Sequence, residues 1–216
     1  MKPIERLRTL DAEAKLVEHI GAALGWDQET YMPAGAIDER ADQLAYVETL
    51  AHEKATAPEI GRLLDELGST GTEPSGPVSL PTIDRAYLRV MRRRYDQATK
   101  LPAELVSEMA RATSLSQAAW VDARKYNDFK AFAPHLSKML EYNKKVAACL
   151  DPSRKPYDVL LDRFEEGASE EQVASIFGPL REELVSLLDR IRGKPQIDDS
   201  FLHRHCPAAA QAEASA

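Results

Sequence analysis

Two cysteines in 216 residues, Cys149 and Cys206, are too few and too far apart for a disulfide framework, a zinc knuckle or a CxxC redox pair. Aromatic residues make up only 6%, and Val and Ile are sparse beside the strong helix formers. Sheets are built from β-branched and aromatic residues, so this scarcity argues for an all-α class. No apolar run approaches the roughly 20 residues needed to cross a bilayer. The opening Met1–Lys2–Pro3–Ile4–Glu5–Arg6 has no continuous apolar stretch of the signal-peptide kind, and the expectation is a cytoplasmic protein with no membrane partner. Positive charge is in deficit: 28 Lys and Arg against 35 Asp and Glu leave a net charge of -7. An acidic chain has no overall electrostatic reason to seek nucleic acid. Glycine-rich phosphate loops (GxxxxGK[ST] or GxGxxG) and a nucleophile elbow are also missing.

What the chain has is helical periodicity. Leu7, Leu10, Ala14, Val17, Ile20 and Leu24 recur at steps of three and four, which predicts a first helix over about Ile4–Leu24. Gly25 is expected to break it. Trp26 to Pro33 then reads as an irregular connection, with Trp26 filling a gap between helices, Asp27 capping a turn and Pro33 keeping Met32 out of a helix. Ile37, Ala41, Leu44, Val47 and Ala51 mark a second helix, and Ile60, Leu63, Leu64 and Leu67 a short third. Gly68 to Pro77 is dense in breakers and reads as a long surface loop. Further helices are expected over Pro81–Lys100, from Pro102 onward, over Phe129–Leu150, and from Ser169, where Ser169-x-x-Gln172 spells a capping box. Val173, Ile176, Phe177, Leu180, Leu184, Leu187 and Ile191 form the last stripe, and Gly193 and Pro195 end it. Ala208 to Ala216 could start one more helix, of marginal length. The whole reads as a single helical region, 1–216, an array of roughly six to eight mostly antiparallel helices.

Candidate chemistry is thin. A zinc hydrolase needs three protein ligands and an open position for water, and two ligands come most readily from His at i and i+4 with a Glu between. Of His19, His52, His135, His203 and His205, only His52 is followed by Glu, and position i+4 is Thr56, which is no ligand. His203–Arg204–His205–Cys206 packs three donors together but has no second cluster to complete a site. The Glu-x-x-His pairs of di-iron bundles are missing. Arg85, Arg89, Arg92, Arg93, Arg94 and Lys100 make one helix basic. Without interleaved aromatics, that face reads as one paired with neighbouring carboxylates rather than a nucleic-acid surface.

The run Leu24–Gly25–Trp26–Asp27–Gln28–Glu29–Thr30–Tyr31–Met32–Pro33 resembles the N-terminal signature of the thermostable zinc carboxypeptidases, the carboxypeptidase Taq family. The resemblance continues through Arg40–Ala41–Asp42–Gln43, Lys100–Leu101–Pro102–Ala103–Glu104, Trp120–Val121–Asp122–Ala123–Arg124 and Tyr157–Asp158–Val159–Leu160–Leu161–Asp162, in order along the chain. It implies a mostly helical, cytosolic, homodimeric zinc enzyme that removes C-terminal amino acids from peptides. It also implies a deep cleft, one wall of which the N-terminal helices build. The family's His-Glu-x-x-His helix and its other catalytic motifs lie further along and have no counterpart here. No catalytic, cofactor-binding or metal residue is therefore assigned, and zinc is expected only in a full-length member. The expectation is an N-terminal portion, incomplete at its C-terminus and inactive alone, with peptide substrates only where the catalytic half is present. The alternative is a non-enzymatic interaction module derived from that family.

Overall fold

A computed structural model describes residues 2–69, 80–195 and 197–215. Among them are nine α-helices and no strand, in keeping with the all-α expectation. Seven helices are long: α1 (Pro3–Thr30), α2 (Ile37–Ala55), α3 (Pro58–Glu66), α4 (Thr82–Ala98), α5 (Ala103–Tyr126), α6 (Phe129–Leu150) and α8 (Glu170–Arg192). The short α7 (Pro156–Leu161) and α9 (Ala208–Ala214) complete the set. From position 70 the breaker-rich segment lies outside the described residues.

The chain divides into two units, Met1–Glu166 and Gly167–Ala216. In the first, α1 and α2 form a hairpin through a single 3-10 turn, Ala34–Ala36, and α5 and α6 form another through Asn127 and Asp128. The second hairpin shows how a two-residue connection closes. Asn127 adopts the left-handed conformation (φ 53°), which a short polar side chain tolerates. The Asp128 N–H reaches back to the Ala123 carbonyl (2.9 Å), and the Asp128 carboxylate caps α6 by accepting from the Ala131 N–H (3.1 Å). The end of α3 uses the same device with Gly68 (φ 65°): the Gly68 and Ser69 N–H groups return to Asp65 and Leu64. The Ser69 hydroxyl then donates to the Leu88 carbonyl (3.0 Å), tying this end to α4.

Two apolar clusters hold the first unit together. One gathers Leu7 of α1, Ile60, Leu63 and Leu64 of α3, Leu67, and Leu88 and Met91 of α4. The other gathers Leu105 and Ala112 of α5, Tyr142, Val146, Ala147 and Leu150 of α6, and Val159 of α7, with Cys149 packed against it. Helix α2 lies against both α1 and α5 and bridges the two sets. Gly21, buried on α1, permits part of that approach, because a β-carbon there would already touch Val47 and Glu48 at 3.4 Å.

The expected break at Gly25 does not occur: α1 runs on to Thr30 and stops before Met32 and Pro33. A glycine inside a helix costs only about 1 kcal/mol, and tertiary bonds at this point outweigh it. Arg40 of α2 donates to the Leu24 carbonyl (2.5 Å) and to the Asp27 carboxylate (2.6 Å). Trp26 does not fill an interhelical gap either. It is 61% exposed, and its ring tilts 60° to that of Tyr31, with ring centroids 5.4 Å apart. On the same helix Ile20, expected to face inward, is exposed.

In the second unit, α8 begins with the predicted box. The Gln172 N–H donates to the Ser169 hydroxyl (3.3 Å), and the Ser169 N–H donates to the Gln172 side chain (3.0 Å). None of its residues is buried, so the stripe from Ile176 to Ile191 lies exposed where an inward face was expected. A 3-10 turn, Ser200–His203, and α9 follow.

Candidate functional site: a crevice between two helical walls

The first unit contains a crevice of about 640 Å³. One wall comes from α1 and α2, the other from α4, α5 and α6 with Arg163. Its apolar lining includes Met91, Leu105, Met109 and Val146. Its charges divide by wall: Asp11, Glu18, Glu29 and Glu48 stand on the α1–α2 side, Arg94 and Arg163 on the other.

Two polar clamps fix the walls. Gln28 of the signature run crosses to α5, where its side-chain oxygen accepts from the Ser114 hydroxyl (2.6 Å) and its amide donates to the Ser114 carbonyl (3.4 Å). Ser114 is buried, so this reciprocal pair satisfies groups that would otherwise be stranded. At the other end, the Tyr87 hydroxyl donates to Asp11 (3.3 Å), which also accepts from Lys15 (2.9 Å). Burial, followed by the Asp11 charge, pushes the Tyr87 phenol up and keeps it protonated. The Arg8 guanidinium lies over the same ring, 4.5 Å from its centroid.

The Glu48 carboxyl has a raised pKa. Desolvation is the larger cause and the Glu18 charge the smaller. Its Oε1 lies over the Gly21 backbone.

His52 sits one helical turn beyond Glu48 on α2, half-buried at the crevice. Thr56, in the i+4 position, turns its hydroxyl back onto the His52 carbonyl (2.8 Å). His203 pairs with Asp199 in the second unit (3.3 Å). Among the described residues no three His, Cys, Asp or Glu side chains converge as metal ligands. The described donors therefore do not assemble a zinc site. The basic helix α4 behaves as a paired face. Arg89 bonds Glu166 (2.9 Å), Arg93 bonds Asp162 (2.7 Å), and Arg92 bonds Asp65.

Sequence inspection singled out His52 but missed its neighbours in the crevice. Glu48 and His52 are spaced i, i+4 on α2, which places them on one face. Glu18 carries no sequence signal, and Arg94 was read only as part of a basic face, because helix packing alone brings them to one cavity.

Similarity to known proteins runs the length of the chain. The model of the carboxypeptidase Taq (M32) metallopeptidases matches residues 6–216. Thermostable carboxypeptidase 1 of Thermus thermophilus is 33% identical over 96% of this chain and 42% of its own length. Among solved structures, Pyrococcus furiosus carboxypeptidase superposes with a TM-score of 0.70 at 32% identity, over 89% of this chain and 37% of that one. The BsuCP crystal structure shares the fold at a TM-score of 0.89 and 23% identity, over all of this chain and 42% of that one. The chain thus spans about two fifths of the length of the relatives it matches. No helix among its described residues is long and apolar enough to cross a membrane. With helices, signature run and matched length in agreement, the chain belongs to the carboxypeptidase Taq (M32) metallopeptidase family.

Proposed function

We propose that these 216 residues form the N-terminal helical wall of a zinc-dependent carboxypeptidase that releases C-terminal amino acids from peptides, and that alone they hydrolyse nothing. One observation carries the reading: the family match covers residues 6–216, yet the matched stretch is only 42% of the Thermus enzyme. Generating hydroxide at neutral pH requires a metal held by three protein ligands with one position open, and the described residues bring no such set together. The chemistry is then the work of residues outside this stretch, while this stretch supplies a surface beside which a peptide lies. The same reading puts the chain in the cytoplasm, whose reducing pool suits the free thiols of Cys149 and Cys206.

The test is to measure zinc by elemental analysis and peptidase activity with and without chelator on the purified 216-residue protein. The expected result is sub-stoichiometric zinc and no turnover. Stoichiometric zinc accompanied by chelator-sensitive release of C-terminal residues would refute the reading.

A further inference from the structure

Along α8, Val173, Phe177, Leu180, Leu184, Leu187 and Ile191 follow one another at alternating steps of four and three. That spacing is the 3.5-residue repeat of a helix-to-helix seam, narrower than the face a helix turns to a globular core. Ile176 and Leu188 flank the seam. No residue of α8 is buried, and Phe177, Leu180, Leu184, Leu187 and Ile191 are 43–58% exposed. Gly178 and Pro179 fall at outer positions of the repeat, and the helix runs on from Leu180 to Arg192 without another breaker. We propose that this seam pairs antiparallel with the α8 seam of a second copy of the chain.

The charges beside the seam choose both the occupant and its direction. Glu183 and Arg190 stand one heptad apart on the same flank. In an antiparallel pair, like flanks face each other. Setting Leu184 against Leu187 of the second copy, and Leu180 against its Ile191, brings Glu183 of each helix to Arg190 of the other. The contact is made twice, as a twofold pairing requires, and closes at two chains. Sliding the helices by one heptad would instead set Glu183 against Glu183 or Arg190 against Arg190. A parallel pair would put Glu183 beside Leu188 and match no opposite charges. The helix dipoles also favour the antiparallel arrangement. The area suffices as well. Ile176, Phe177, Leu180, Leu184, Leu187, Leu188 and Ile191 are 43–64% exposed, which amounts to roughly 650 Å² per helix. Two such faces give about 1,300 Å², within the ~1,200–2,000 Å² of stable interfaces.

Sedimentation equilibrium of the 216-residue protein over ~1–200 µM tests this directly. A monomer–dimer equilibrium is expected, with no larger species. Leu184→Glu should abolish the dimer while the helical circular dichroism stays unchanged, since the position is exposed in the single chain. Glu183→Arg and Arg190→Glu should each weaken the dimer about tenfold, because each sets like charges together at two places. The double variant should restore it, a recovery that only the antiparallel register predicts. A monomer at every concentration would overturn the proposal and leave the stripe to another occupant. A dimer that survives Leu184→Glu, growth beyond two chains, or a double variant no tighter than the single ones would overturn it equally. The concentration series and the charge cycle decide the matter even should Leu184→Glu fail to fold. Neither zinc nor turnover enters the readout, so this test and that of the proposed function fail independently.

Discussion

Gly61 offers a sign test of the packing in the first unit. It is buried in α3, and a β-carbon added there would sit 2.6 Å from the Tyr95 hydroxyl oxygen, 2.9 Å from Cζ and 3.0 Å from Cε1. Two effects oppose each other in Gly61→Ala. Helix propensity favours alanine by about 1 kcal/mol, while forcing a carbon into a filled site costs about 1–3 kcal/mol. The obstacle is a rigid ring packed against the first apolar cluster rather than the tip of a flexible chain, so the cost should fall in the upper half of that range. Gly61→Ala is then expected to lose about 1–2 kcal/mol. Gly25→Ala is the control: it is also inside a helix, but nothing lies within 4 Å of its would-be β-carbon. It should gain up to about 1 kcal/mol. Urea unfolding followed by tryptophan fluorescence reads both, because Trp26 and Trp120 lie in the first unit. Removing the ring with Tyr95→Leu should restore the favourable sign of Gly61→Ala. Equal shifts at positions 61 and 25, or a Gly61→Ala loss that persists without the Tyr95 ring, would refute the reasoning.

Three further outcomes follow from the same geometry. Leu64, fully buried at the centre of the first cluster, should lose about 3–5 kcal/mol on truncation to alanine, read as a drop in the urea midpoint at unchanged slope. Arg40→Ala should cost about 2 kcal/mol, since the guanidinium is largely buried and bonds the Leu24 carbonyl, the Asp27 carboxylate and the Gln43 side chain. Arg40→Lys should recover only part, because an ammonium cannot present the same planar fork; full recovery would argue against the bidentate role. Glu48 supplies a pH dependence. Its native pKa is raised by desolvation and then by Glu18, so the native state holds the proton more tightly than the unfolded chain does. The resulting stability is whole below the unfolded carboxylate range and is lost as pH rises through the raised native value. Glu48→Gln should therefore melt higher than the parent near neutral pH and level with it in acid, and an offset independent of pH would contradict the assignment.

Where secondary structure was set locally, it was legible in the sequence. The Ser169–Gln172 box, the exclusion of Met32 from a helix by Pro33 and the inward set Ile60, Leu63, Leu64 and Leu67 all stand as read, because each depends on neighbours within one or two turns. Gly25 was misjudged because the bonds that carry the helix across it come from Arg40, well along the chain. Trp26 was misplaced because a large aromatic ring suggests burial, yet this one stands 61% exposed. Helix α7 escaped notice because six residues carry too little periodicity to register. The family was readable from short runs in fixed order, whereas the crevice was not. Its charges come from α1, α2, α4 and the segment after α7, and their grouping is a property of packing alone.

The Arg40 bonds also bear on the order in which this wall can form. The Leu24 carbonyl and the Asp27 carboxylate are held by a side chain that reaches them only once α2 has folded back. The last two turns of α1, containing Gly25 and most of the signature run, are thus helical on condition that their partner is present. A peptide of residues 3–31 should be protected against amide exchange up to about Leu24 and open beyond it. The segment by which the family is most easily identified is expected to set late rather than to nucleate the fold.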